Sequence, residues 1–175
     1  KKISTTSIGK EPGIKGDFGL RPRKKPNLIP RLEACQGLLL EGKEAGEIRK
    51  AFPDTSVPLH MEIGCGKGGF ICEKARQMPE IHFLAMEREA NVIISALEMA
   101  QTMGLSNLRF LLGDADDLLK ILFQPGEIAC FYINFCDPWP KKRHAKRRLT
   151  HRSRLTLYQE LLAPAGELHF KTDNQ

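Results

Sequence analysis

Residues 57–77 read Val57-Pro58-Leu59-His60-Met61-Glu62-Ile63-Gly64-Cys65-Gly66-Lys67-Gly68-Gly69-Phe70-Ile71-Cys72-Glu73-Lys74-Ala75-Arg76-Gln77. A short apolar run, read as a strand over 57–63, ends in an acid and a cluster of glycines. Gly64 and Gly66 allow a tight turn and a close approach of backbone to a ligand, and the helix read over 68–77 brings free N–H groups to the same place. The same alternation continues outward. Strands are expected over 81–86, 107–112, 127–135 and 167–172, with helices over 90–103, 116–123 and 152–162 between them. Residues 30–52 are expected to form two helical pieces broken at Gly42, with Leu32, Cys35, Leu38 and Leu39 as their apolar stripe. This order predicts an α/β fold, a mostly parallel doubly wound sheet with helices on both faces.

In such a sheet, ligands bind at the carboxyl ends of the strands, and three of these ends carry acids. Glu62 precedes the glycines, Glu87 ends the second strand, and Asp114 ends the third in Gly113-Asp114-Ala115. The spacing Gly64-x-Gly66-x-x-Gly69 also satisfies the dinucleotide fingerprint, so the glycines alone leave a nicotinamide cofactor open. A further reading makes the glycines a simple tight turn and the acids solvated caps. The acids favour a cofactor with an ammonium, a ribose and an adenine amino group but no phosphate, which describes S-adenosylmethionine.

The fourth strand runs into Asp137-Pro138-Trp139-Pro140, followed at once by KKRHAKRRL. Two prolines stiffen the turn and argue against an ordinary helix start at Asp137. Trp139 is read either as a stacking platform or as packing at the rim. Residues 141–154 hold 8 Lys or Arg and no acid, whereas residues 26–140 hold 10 basic and 16 acidic residues. A block of one sign suits phosphate better than a merely solvated face does. Such contacts position a nucleic acid without reading its bases. His144 and His151 are expected in the phosphate-binding loop.

The chain of 175 residues suffices for one domain. Residues 1–26 read as a basic, weakly ordered tail and 27–175 as the domain, and Arg21, Arg23, Lys24 and Lys25 are candidates to clamp RNA. No apolar run reaches the roughly 18 residues of a membrane span. Five cysteines without a Cys-x-x-Cys pattern read as reduced thiols in a cytoplasmic protein without a metal site. Oligomeric state is left open.

The segments HMEIGCGKGGFI at 60–71, MERE at 86–89, GDA at 113–115, NFCDPWPKKRHAKRRL at 134–149 and HFKTDN at 169–174 resemble those of the bacterial tRNA (guanine-N7-)-methyltransferases. The resemblance spans roughly residues 21–175, and its DPWPKKRH run is its most specific part. It implies a Rossmann-like class I methyltransferase fold. It also implies methyl transfer from S-adenosylmethionine to N7 of a guanosine in tRNA, at position 46 of the variable loop. By motif, Glu62, Gly64, Gly66, Glu87, Asp114 and Asp137 fall in the cofactor site, with Asp137 also catalytic. Lys141 and Asp173 fall on the substrate, and Arg143, His144, Lys146, Arg147 and Arg148 on RNA. Two departures stand out. Cys136 stands where the family has Ser, and the family continues to a Thr-x-x-Glu motif and two further strands, so the chain is expected to be C-terminally incomplete. Two other readings compete: a non-catalytic RNA-binding module with a vestigial pocket, and a nicotinamide-dependent oxidoreductase.

Overall fold

Six parallel strands form one sheet in the order β1-β4-β3-β2-β5-β6. The structure is a computed structural model that describes residues 25–40, 46–135, 139 and 142–172. The strands are β1 (Leu39–Leu40), β2 (Leu59–Ile63), β3 (His82–Glu87), β4 (Leu108–Leu112), β5 (Ile128–Asn134) and β6 (Leu162–Lys171). The helices are α1 (Leu28–Ala34), α2 (Glu47–Lys50), α3 (Gly69–Gln77), α4 (Ala90–Thr102), α5 (Ala115–Leu122) and α6 (Arg152–Leu161), with a 3-10 helix over Lys142–Arg147.

The apolar residues of the strands divide between two cores. Met61, Ile63, Leu84, Met86, Phe131 and Ile133 face α2, α5 and α6, where Leu119, Leu157 and Tyr158 meet them. Phe83, Ala85, Leu108, Phe110 and Tyr132 face α1, α3 and α4. Successive side chains of a strand point to opposite faces, so a strand covered on both sides is apolar at nearly every position. β3 shows this best, with His82 to Met86 all buried.

The winding reverses between β2 and β5. From β2 the chain proceeds to β3 and β4 on one side, then crosses back to β5 on the other. This reversal opens a crevice at the carboxyl ends of β2 and β5. Two close contacts hold the elements around it. Gly68, at φ 83°, caps α3 where a Cβ would lie 2.5 Å from Ala96 Cβ and 2.8 Å from its Cα, so only glycine lets α3 and α4 cross there. Asn107, buried ahead of β4, donates from Nδ2 to the carbonyls of Ala75, Met78 and Ile81. One amide thus satisfies the end of α3 and the start of β3, which no intrahelical partner serves.

The order of elements agrees with the sequence reading except at two places. Leu38 and Leu39 belong to no helical stripe. α1 ends at Ala34, Leu38 accepts a backbone bond from Phe110 N at 2.8 Å, and Leu39–Leu40 pair with Phe110 and Leu111 as a sixth strand. The expected break at Gly42 lies outside the described residues. β6 begins at Leu162 rather than at Glu167, because the segment holding Pro164, Ala165 (φ 61°) and Gly166 bulges beside β5 and rejoins the ladder at Glu167. At the amino end, Lys25 of the expected tail is described and tied to α4: its N–H donates to Asn91 and its ammonium to Ser95.

Candidate active site

A cleft of ≈ 340 Å³ opens at the carboxyl ends of the strands. Gly64 and Gly66 from the turn after β2, Glu87 from β3 and Asp114 from β4 line it together, with Phe135 and Trp139 beyond β5. Four of the residues expected in the cofactor site therefore meet at one cavity although they are spread over 51 positions of chain.

Glu87 organises the glycine turn. Its Oε2 accepts from Gly66 N at 3.1 Å, and its Oε1 accepts from the N–H groups of Arg88 at 2.9 Å and Glu89 at 3.1 Å. Gly66 presents its N–H from φ 58°, a left-handed conformation that a side chain would strain. A carboxylate has about four lone-pair positions, so Glu87 retains acceptor capacity toward the cleft. Asp114 caps α5 by accepting from Asp116 N at 2.9 Å through Oδ1, and the residue lines the cleft.

Glu62 is placed differently. It is 2 % exposed and does not line the cleft, though the next residue, Ile63, does. Its Oε1 accepts from Asn134 Nδ2 at 2.9 Å across the β2–β5 boundary, and its Oε2 is buried without a hydrogen-bond partner. Burial raises its pKa from 4.5 to about 7, the Asn134 hydrogen bond opposes this, and the Glu87 charge adds to it. In the unliganded chain, the folded state therefore holds a proton between pH 4.5 and about 7 that the unfolded state has lost. Stability then falls as pH rises through this window and levels above it, a loss of about 3 kcal/mol. Glu62→Gln removes that part of the slope. Urea unfolding at pH 5 and pH 8 should show the variant gaining on wild type by about this amount at the higher pH; parallel pH dependence would contradict it.

Beyond β5 the basic segment wraps the cleft rim. Trp139 sits at φ 41°, and its carbonyl accepts from Arg148 Nε at 3.2 Å and Nη2 at 3.0 Å. Arg147 lies over its ring at 5.0 Å, and His144 meets the ring edge-on at 5.5 Å. Arg154 joins the segment to the domain: it pairs with Asp116 through Nε at 2.6 Å and Nη2 at 2.5 Å, and Nη1 donates to Arg147 O at 2.7 Å.

A family model described as "Putative methyltransferase" matches residues 56–175. A tRNA (guanine-N(7)-)-methyltransferase of Staphylococcus aureus is 48 % identical over 157 residues, 89 % of this chain and 72 % of that protein. The enzyme of that name from Listeria monocytogenes is 46 % identical over 158 residues, 89 % of this chain and 73 % of its own. The chain belongs to the tRNA (guanine-N(7)-)-methyltransferase family. Among solved structures, phosphoethanolamine N-methyltransferase 2 of Haemonchus contortus superposes with a TM-score of 0.51 at 15 % identity, over 81 % of this chain and 27 % of that one. A 30S ribosomal A1408 methyltransferase from an uncultured bacterium also gives 0.51 at 13 % identity, over 71 % and 56 %. These two likenesses carry the fold alone, the Rossmann-like class I methyltransferase fold.

Within this family member the residues expected on RNA do not form a uniform surface. Arg148 and Arg147 hold Trp139, and Arg143 donates to His144 Nε2 at 3.2 Å. Arg143 and Lys146 are exposed on the 3-10 helix. His151, at the end of the basic segment, is the N-cap of α6, accepting from Ser153 N at 3.3 Å. Asp137, Lys141 and Asp173 lie outside the described residues. Sequence reasoning passed over Asn134, Phe135 and Arg154. A polar residue ending an otherwise apolar strand was the available signal for Asn134; Arg154 was lost in the charge block. Among the described residues no cluster suited to a metal ion occurs, and no helix is long and apolar enough to cross a membrane.

Proposed function

We propose that this chain methylates N7 of a guanosine in tRNA, at position 46 of the variable loop, in the cleft at the β2–β5 switch point. The observation that carries this reading is identity of 46–48 % with tRNA (guanine-N(7)-)-methyltransferases over 89 % of the chain, joined to a cleft that gathers two of the strand-end acids, Glu87 and Asp114. S-adenosylmethionine is the cofactor, and it supplies a methyl group already activated on a sulfonium. The residues present fit it: a buried carboxylate oxygen without a partner at Glu62, an acid with spare acceptor capacity at Glu87, and a glycine turn that lets backbone approach.

Guanine N7 carries a lone pair and no proton, so no general base is needed. The protein's work is to position and to stabilise charge. Glu62, Gly64, Gly66, Glu87 and Asp114 hold the cofactor. Asp137 takes the catalytic role, stabilising the positive charge that grows on the purine. Lys141 and Asp173 bind the guanosine. Trp139 and Phe135 shape the cleft mouth. Arg143, His144, Lys146, Arg147 and Arg148 meet tRNA phosphates, and a cytoplasmic location accompanies that substrate. Incubation with tRNA and methyl-labelled S-adenosylmethionine, followed by mapping of the modified nucleotide, tests the reading. Label at guanosine N7 supports it; transfer to another atom or base replaces it.

Two exposed cations of the 3-10 helix that do not line the cleft, Arg143 and Lys146, separate phosphate binding from loop structure. Arg143→Ala with Lys146→Ala should weaken binding of all tRNAs and reduce the slope of log affinity against log salt by about 1 to 2. Cofactor affinity should hold, because neither residue lines the cleft. An unchanged slope would show that the 3-10 helix does not meet the phosphate backbone.

A further inference from the structure

Glu62, next to last in β2, and Asn134, last in β5, lie on the two strands between which the winding reverses, and their side chains join there. Glu62 is the one acid buried among the described residues, and a single neutral amide serves its carboxyl group. We infer that Asn134 is the positioning residue for Glu62, and that Glu62 receives the amino group of the cofactor only after giving up a proton, so that cofactor binding releases a proton to solvent.

The inference rests on the proposed S-adenosylmethionine site. Asn134 Nδ2 donates to Oε1 and keeps that oxygen an acceptor, so the proton of the neutral carboxyl group resides on Oε2. Oε2 is also the atom without a partner. An ammonium placed against this buried carboxyl group favours its ionised form, because the opposite charge stabilises the carboxylate far more than the neutral acid. The O–H bond of Glu62 therefore breaks, its proton passes to the buffer, and the carboxylate accepts an N–H of the ammonium. Apart from Asn134, the groups facing Glu62 do nothing to hold it ionised beforehand. They are the Glu87 carboxylate at the end of β3, the thiols of Cys65 in the glycine turn and Cys72 on α3, and Tyr132, the register partner on β5. None of these carries positive charge. Burial raises both thiols and the Tyr132 hydroxyl, so all three stay neutral through the physiological range.

Calorimetric titration of S-adenosylhomocysteine, which keeps the amino group, tests this in buffers of different ionisation enthalpy. With Glu62 titrating at about 7, the wild-type chain should release about 0.9 proton per ligand at pH 6, about half at pH 7 and almost none at pH 8.5. Glu62→Gln should bind with no release at pH 6. Asn134→Ala removes a hydrogen bond that favours the charged form, so its release at pH 7 should rise toward one proton while affinity there falls. A residue that only braced the strand ends would lower affinity without moving the release profile. Binding by wild type with no proton release at pH 6 overturns the inference and leaves the proposed function standing. A release profile for Asn134→Ala that matches wild type overturns the role of Asn134. Complete absence of S-adenosylhomocysteine binding removes the inference and the proposed cofactor site together.

Discussion

Asp137→Asn should lower single-turnover methylation about 100-fold or more, with a much smaller change in tRNA affinity. In the sequence Asp137 stands between Phe135 and Trp139, and both of these line the cleft. Methylation at N7 places positive charge on the purine. A carboxylate beside it gains strength as that charge develops, and an interaction strongest in the transition state appears in turnover rather than in ground-state binding. Asn keeps the shape and loses the charge. If Asp137 merely capped the turn, the replacement would cost little, since Asn and Asp cap comparably. Rates measured at saturating tRNA and cofactor separate the two cases. A variant rate within about twofold of wild type would remove Asp137 from the chemistry and transfer the role to Asp173, the other acid expected at the substrate.

The strand–turn–helix unit from Leu59 to Gln77 was readable because each of its determinants is local. An apolar run, glycines at fixed offsets and a helical stripe all lie within one short window. The acids at Glu87 and Asp114 were readable for a related reason: strand ends in a parallel sheet share one edge, so finding the ends finds the cleft, whereas Glu62, read by the same rule, is buried and does not line it. What stayed hidden depends on partners distant in sequence. β1 is two residues long and exists through its pairing with Phe110 and Leu111; Leu38-Leu39-Leu40 is too short to show either period. The bond from Asn134 to Glu62 joins residues 72 positions apart. Charge counting located the basic segment correctly but could not tell which cations are already engaged. Arg148 holds the Trp139 carbonyl and Arg154 holds Asp116, whereas Lys146 is exposed and Arg143, also exposed, meets only the neighbouring His144 among the hydrogen bonds described. Only the distances sort an arginine that shapes the loop from one exposed to solvent.

Glu87 should prove the most sensitive of the cofactor acids, with Glu87→Ala weakening S-adenosylhomocysteine about 100-fold. The carboxylate performs two tasks. It closes the turn through the N–H groups of Gly66, Arg88 and Glu89, and in the proposed site its remaining lone pair accepts from the ribose hydroxyls. Hydrogen bonds to a charged group contribute about 1.5–3 kcal/mol each, and about 2.7 kcal/mol corresponds to 100-fold. Glu87→Gln divides the tasks. Its carbonyl oxygen still accepts from Arg88 and Glu89, but its amide group opposes the Gly66 N–H, donor against donor. The turn should loosen there, with a loss of about 10-fold in affinity. Weakened binding alone could follow from the turn, so the ligand must be varied as well. Wild type should discriminate against an analogue lacking the ribose hydroxyls, and Glu87→Ala should bind that analogue and S-adenosylhomocysteine nearly alike. The coupling in this cycle belongs to the direct contact, because damage to the turn lowers both affinities equally. Should the variant keep the full wild-type discrimination, Glu87 closes the glycine turn and does not touch the ribose, and the acceptor must be sought at Asp114.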